Sequence, residues 1–341
     1  MLHPRSNVGR LYLPRREGGR GLIGIQDCVE QEEMNLSKYI SESSEKLLQE
    51  VKYAGILRKD EETVGERKKR NKEKRKKEWE EKALHGKFVR DTEKVRNSES
   101  WAWLRKGYLK KETEGMIVAA QDQALRTNWI KKHIDKQNIS EKCRMCGERD
   151  ESVNHIVAEC PKLAQTDYKA RHDNVGRIIH LQLCQNKKLT GEKKWYTHSP
   201  ESVYENEDVK ILWDFNIYTD HVIQHRRPDI VMFDKKERKC MIIDIACPGD
   251  SRVELKEKEK IQNYAELRRE IKKLWNCKEV KVVPVVIGAL GVISKNLKNY
   301  LKLLEVKCSV ELLQKATLLG TARILRKVLE TLSGWVSLAL Q

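Results

Sequence analysis

Two short apolar runs, RPDIVMF (227–233) and CMIIDIAC (240–247), flank the charged stretch Asp234-Lys235-Lys236-Glu237-Arg238-Lys239. β-rich segments around a polar turn predict a β-hairpin. With Lys236-Glu237 at the turn centre, Phe233 pairs with Cys240 and Asp229 with Asp244. Elsewhere the apolar period is helical. Over 29–58, Leu36, Tyr39, Ile40, Leu47, Leu48 and Val51 form a stripe expected to be buried. Over 85–135, Trp101, Trp103, Leu104, Tyr108 and Leu109, then Met116, Ile117, Ala120, Leu125, Trp129 and Ile130, read as core positions of further helices. Residues 161–195 read as helical, and so do 207–224, carrying Val209, Ile211, Leu212, Phe215 and Val222. Helical pattern returns from Val253 to Trp275 and from Val310 to Leu329. Between them VKVVPVVIGAL (280–290) predicts a buried strand, with Pro284 pointing to an edge or a bulge. Helix, hairpin, helix and strand over 207–305 predict a compact α+β unit.

Composition adds a partner class. The chain has 341 residues, enough for two or more domains. It is 39% hydrophobic and 35% charged, leaner and more charged than the roughly 45–50% and 25% of an average globular protein. A net charge of +17 favours a polyanion, either nucleic acid or an acidic membrane. No apolar stretch approaches the roughly 18 residues of a membrane span, and Met1-Leu2-His3-Pro4-Arg5 lacks a signal-peptide core. Nucleic acid is the better expectation, with no membrane. The run from Glu66 to Lys82 is nearly all charge, which suits a nuclear localisation signal, a phosphate-tracking helix or a solvated linker. Gly18-Gly19-Arg20-Gly21 lacks the preceding strand and the spacing of a phosphate loop and reads as a turn.

Nine cysteines, an odd number, argue for reduced thiols over a disulfide framework. Cys143, Cys146, His155 and Cys160 form C-x2-C-x8-H-x4-C, three sulfurs and an imidazole in the pattern of a structural Zn²⁺ site. Basic residues surround it, and Arg144 and Arg171 are candidate nucleic-acid contacts, since zinc knuckles bind single strands and structured RNA.

The hairpin supplies the second candidate. Directly opposed strand residues have Cβ atoms roughly 4.5–5.5 Å apart, and like charges there repel. A cation between Asp229 and Asp244 removes that cost, and Mg²⁺ is typically held by one or two carboxylates plus substrate phosphate. Metal-dependent phosphodiester cleavage also calls for a lysine near the attacking water. In the PD-(D/E)XK pattern it lies two residues after the second carboxylate, where this chain has Ala246. Lys256, Lys258 and Lys260 on the following helix are the alternatives, and Lys256, Lys260 and Tyr264 share a face. Arg226 and Arg227, just before Asp229, could meet DNA phosphate.

These landmarks together carry a resemblance. The chain resembles the C-terminal part of non-LTR retrotransposon polyproteins that carry a restriction-enzyme-like endonuclease. The matching positions are Arg10 to Leu22 (RLYLPRREGGRGL), the Cys/His cluster followed by Tyr168 and Arg171-His172-Asp173, Arg227-Pro228-Asp229, Ile243-Asp244, and Lys260 with Tyr264. The resemblance implies an α+β chain: a helical N-terminal half, a small CCHC zinc module, then a PD-(D/E)XK-like mixed sheet flanked by helices. It implies a nuclear, Mg²⁺-dependent endonuclease that nicks target DNA and possibly meets element RNA. That family pairs its second carboxylate with a lysine on the next helix, in agreement with Ala246 here. The expected segments are 1–58 (post-polymerase-like), 59–135 (basic helical), 136–198 (zinc knuckle and helices), 199–306 (endonuclease) and 307–341 (C-terminal helix). No paired-aspartate polymerase motif is present. The alternative is a decayed or domesticated copy that binds nucleic acid without cutting it.

Overall fold

In the computed structural model, which describes residues 8–54 and 62–330, the described residues divide into two units, one up to Lys87 and one from Phe88 on. The parts of the expected terminal and basic segments that fall on 1–7, 55–61 and 331–341 lie outside the described residues. No described helix is long and apolar enough to cross a membrane.

The first unit is built around charge. Helix α1 (Ile25–Glu42) is followed by α2 (Lys46–Tyr53) and by α3 (Val64–Glu81), which holds the basic run. Thr63 and Glu66 form a capping box that starts α3, each side chain bonding the other residue's backbone N–H. Helix α1 meets α3 through ion pairs, Arg75 with Asp27 at 2.6 Å and Arg67 with Glu30 at 3.4 Å. A nearly apolar-free α3 offers no surface on which to bury a stripe. Of the expected stripe only Ile40 is buried, while Leu36, Tyr39 and Leu47 are exposed. The glycine cluster is a turn, with Gly18 at φ +91° and Gly21 at φ +69°. Arg10 donates to the Gly18 carbonyl and stacks on buried Trp79, 4.4 Å from its ring centre.

Short helical turns follow, Lys87–Asp91 and Ala102–Lys106, then α4 (Lys111–Gln121) and the turn Asn128–His133. Trp101, Trp103 and Leu104 are core, whereas Tyr108 is exposed, at φ +49°. After the cysteine cluster comes α5 (Lys169–Asn186). The sheet strands are β1 (Val203–Glu205), β2 (Val209–Trp213), β3 (Ile230–Asp234), β4 (Lys239–Ala246) and β5 (Glu279–Val286). They lie in the order β1-β2-β3-β4-β5, antiparallel except for the parallel β4–β5 pair. Parallel neighbours need a crossover, and α6 (Val253–Asn263) with α7 (Ala265–Leu274) provides it. The chain continues through α8 (Leu297–Leu303) to α9 (Val310–Glu330). The described residues form an α+β fold with one mixed sheet.

Helices cover both faces of that sheet. Val175, Ile179 and Leu183 of α5 and Leu313 of α9 cluster with Ile230, Ile243, Ile245 and Val283. On the other face Tyr264, Leu267 and Ile271 pack with Leu212, Val231 and Ile242. Burial on both faces removes the polar alternation of a strand. That is why 207–224, expected to be helical, instead holds β2 and an irregular loop: Val209 and Ile211 point to one core and Leu212 to the other. Pro284 sits on β5, the edge strand, where its missing N–H costs no ladder bond to a further neighbour.

Candidate functional site

The hairpin register places the two carboxylates. Ile230 pairs with Ile243, Phe233 with Cys240 and Asp234 with Lys239, so the same register carried one residue beyond β3 sets Asp229 against Asp244. The turn is fixed locally, because Asp234 accepts from the Glu237 N–H at 2.8 Å and Arg238 takes a left-handed φ of +55°.

Asp244 is buried. Its Oδ1 accepts from the Tyr264 hydroxyl at 2.6 Å, and the Lys260 ammonium lies 2.6 Å from Oδ2. No donor other than that ammonium reaches Oδ2 among the described residues. Burial, then the charge of Asp229, hold the Asp244 carboxyl above the usual carboxylate range, and Lys260 and Tyr264 offset only part of this. Of the three candidate lysines, Lys260 alone has an ion pair with the carboxylates. Lys256 pairs with Glu259 at 2.7 Å, and Lys258 is exposed on the helix.

Asp229 is held through one oxygen. Its Oδ2 accepts from the Ile245 N–H at 2.6 Å and lies 3.0 Å from His172 Nε2, while Oδ1 has no hydrogen-bond partner among the described residues. His172 Nδ1 lies 2.9 Å from Asp173 Oδ1. Burial opposes a charged ring here, but the bonds to Asp173 and Asp229 outweigh it and lift His172 to about 10. In the sequence Arg171-His172-Asp173 is a landmark of the resemblance, with no role attached to His172 or Asp173. Nothing local links His172 to a carboxylate far along the chain.

Arg227 is exposed and spends its guanidinium on Asp214, with Nε 2.7 Å from Oδ1 and Nη2 2.9 Å from Oδ2. Arg226 is half-buried.

The second cluster forms on a tight knuckle. The Gly147 N–H reaches the Cys143 carbonyl at 2.7 Å, with Gly147 at φ +71°. The ligand atoms of Cys143, Cys146, His155 and Cys160 all lie within 4.8 Å of one another, so this group could hold a metal such as zinc. Cys143 and Cys160 sulfurs are 3.9 Å apart, and Cys146 Sγ lies 3.4 Å from His155 Nε2. Burial pushes the Cys143 thiol up and takes Cys160 to about 12. Burial acts on Cys146 too, but backbone N–H groups of Arg149 and Glu148 outweigh it, and its thiol titrates below the ordinary value. The Tyr168 hydroxyl, donating to the Ile156 carbonyl at 2.7 Å and accepting from the Cys160 N–H at 3.0 Å, braces the backbone between the last two ligands.

Two expected nucleic-acid contacts are corrected by the packing. Arg144 forms a bidentate bond to buried Glu151, at 2.8 and 2.6 Å, with its side chain almost fully covered. Arg171 is 2% exposed, and its guanidinium donates to the Val157 carbonyl, Thr321 Oγ1 and the Cys247 carbonyl. Both are internal clasps with no face left for phosphate. No family model and no curated protein matches the chain.

Proposed function

We propose that the sheet-bearing part of this chain is a Mg²⁺-dependent DNA endonuclease of the type carried by non-LTR retrotransposon polyproteins. In this reading the Cys/His cluster is its zinc knuckle. One observation carries it: side chains from the lead-in to β3, from β4 and from α6 converge at one end of the sheet as Asp229, Asp244 and Lys260. The PD-(D/E)XK pattern requires that triad.

The residues fit a divalent cation. Asp229 Oδ1 has no hydrogen-bond partner among the described residues, and Asp244 Oδ2 is buried beside the Lys260 ammonium. A carboxylate pushed up by burial and by a second carboxylate is stabilised by added positive charge. When bound there, the ion would lower the pKa of an attacking water and offset charge on the phosphate. Lys260 would orient that water and balance the phosphate as charge develops. Tyr264 would hold the Asp244 carboxylate in place through its hydroxyl. Arg226 and Arg227 would meet the DNA backbone. Target DNA, element RNA and a nuclear location belong to the same reading.

Nicking of supercoiled plasmid with Mg²⁺ tests it. Wild type is expected to convert plasmid to open circle and Asp244→Asn to leave it intact; equal, negligible nicking by both overturns the enzyme. The second reading, a non-cutting nucleic-acid binder, draws on the Lys260–Asp244 ion pair, which is self-neutralised as a purely structural pair would be. It predicts salt-sensitive DNA binding that survives Asp229→Ala with no nicking by wild type.

A further inference from the structure

His172 lies outside the expected triad and meets one of its carboxylates directly. Its ring bridges two carboxylates, with Nδ1 2.9 Å from Asp173 Oδ1 and Nε2 3.0 Å from Asp229 Oδ2. An ionised carboxylate only accepts hydrogen bonds, so the ring donates to Asp229 from Nε2. The Ile245 N–H reaches the same Asp229 oxygen at 2.6 Å. Two donors from two different elements, α5 and β4, therefore lock Oδ2 and leave Oδ1 as the oxygen for a cation.

The ring itself is held in place. One turn further along α5, a Cβ on Gly176 would meet the Trp213 ring at 2.7 Å, so the glycine lets the helix lie tight on the sheet. The preceding residue, Arg171, is clasped by the Val157 and Cys247 carbonyls. Both contacts hold the first turns of α5 against their neighbours, on either side of His172. Outer groups that orient a ligand in this way typically change metal affinity or activity by about 10–100-fold when removed.

We propose that His172, backed by Asp173, is a positioning residue that fixes Asp229 as a ligand for a divalent cation. This rests on the reading of Asp229 and Asp244 as the cation site. The test is Mn²⁺ binding by electron paramagnetic resonance on the full, zinc-loaded chain, with plasmid nicking as a second readout. His172→Ala is expected to weaken Mn²⁺ binding by about 10–100-fold, at unchanged zinc content and melting temperature. Added imidazole, filling the vacated space, is expected to restore part of the loss, which a general loss of packing would not allow. Mn²⁺ binding by His172→Ala equal to wild type overturns the positioning role and leaves the cation site standing. No Mn²⁺ bound by wild type overturns the cation site, and the positioning role with it. Should His172→Ala fail to fold, Asp173→Asn keeps the ring and removes the charge behind it. A several-fold weakening is then expected, and unchanged affinity overturns the proposal.

Discussion

The Lys260 ammonium and the Asp244 carboxylate stand 2.6 Å apart, the lysine coming from α6 and the carboxylate from the C-terminal half of β4. The strand position two residues on, where a lysine would otherwise reach the same place, is Ala246. Removing the lysine alone leaves a buried carboxylate without its counter-charge. Lys260→Met should therefore lose about 3 kcal/mol of stability, the lower end for breaking a buried pair, because Lys260 keeps about a fifth of its side chain exposed. The double variant Lys260→Met/Asp244→Asn should recover most of that in urea unfolding, and neither should nick DNA. A single variant as stable as wild type would mean that the pair is not coupled.

The thiols of the Cys/His cluster make metal binding pH-dependent with a definite sign. Burial raises Cys143 and takes Cys160 to about 12, so both are protonated near neutral pH in the metal-free chain. A bound Zn²⁺ requires thiolates. Loading must then release the protons of at least these two groups, and affinity must fall as pH falls. Calorimetry in buffers of different ionisation enthalpy measures the release, and competition with a chelator at pH 6.5 and 8 measures the affinity. Cys143→Ser should abolish stoichiometric zinc. PH-independent affinity would remove these sulfurs from the ligand set.

The hairpin and its register were legible from sequence because both strands carry apolar runs and the turn between them is wholly polar. The shared helix face of Lys260 and Tyr264 was legible too, and both side chains reach Asp244. Strand β2 was not legible: Val209, Ile211 and Leu212 serve cores on opposite faces, and the period of two disappears. Arg144 and Arg171 read as surface cations because arginine usually is one. Their partners, one buried glutamate and a set of backbone carbonyls, leave no mark in a sequence pattern.

Arg171 gives a direct test of that difference. Its guanidinium ties the backbone of the His155–Glu159 turn to the segment after β4 and to Thr321 on α9. Hydrogen bonds from a charged group are worth about 1.5–3 kcal/mol each when one partner is lost. They are not additive, so Arg171→Ala should cost about 3 kcal/mol in all. Gly320 lies where a Cβ would meet Arg171 Cγ at 2.7 Å, so Gly320→Ala should disturb the same clasp to a smaller extent. The salt dependence of DNA binding by the folded fraction should not change. A shallower salt slope with intact stability would return Arg171 to the list of phosphate contacts.

Arg227 is the exposed counterpart, and Asp214 competes for its fork. A phosphate must displace that carboxylate before Arg227 can neutralise it, whereas Arg226 has no such side-chain ion pair among the described residues. Each phosphate neutralised contributes about 0.9 to the slope of log K against log salt on duplex DNA. Arg226→Ala should therefore lower the slope by about 0.9 if its side chain reaches one phosphate. Arg227→Ala should lower it by less in the native background. In an Asp214→Ala background, where the fork is released, the Arg227→Ala step should grow towards the full value. Measured by filter binding over a range of salt concentrations, equal Arg227 steps in both backgrounds would show that Asp214 does not hold the arginine back from DNA.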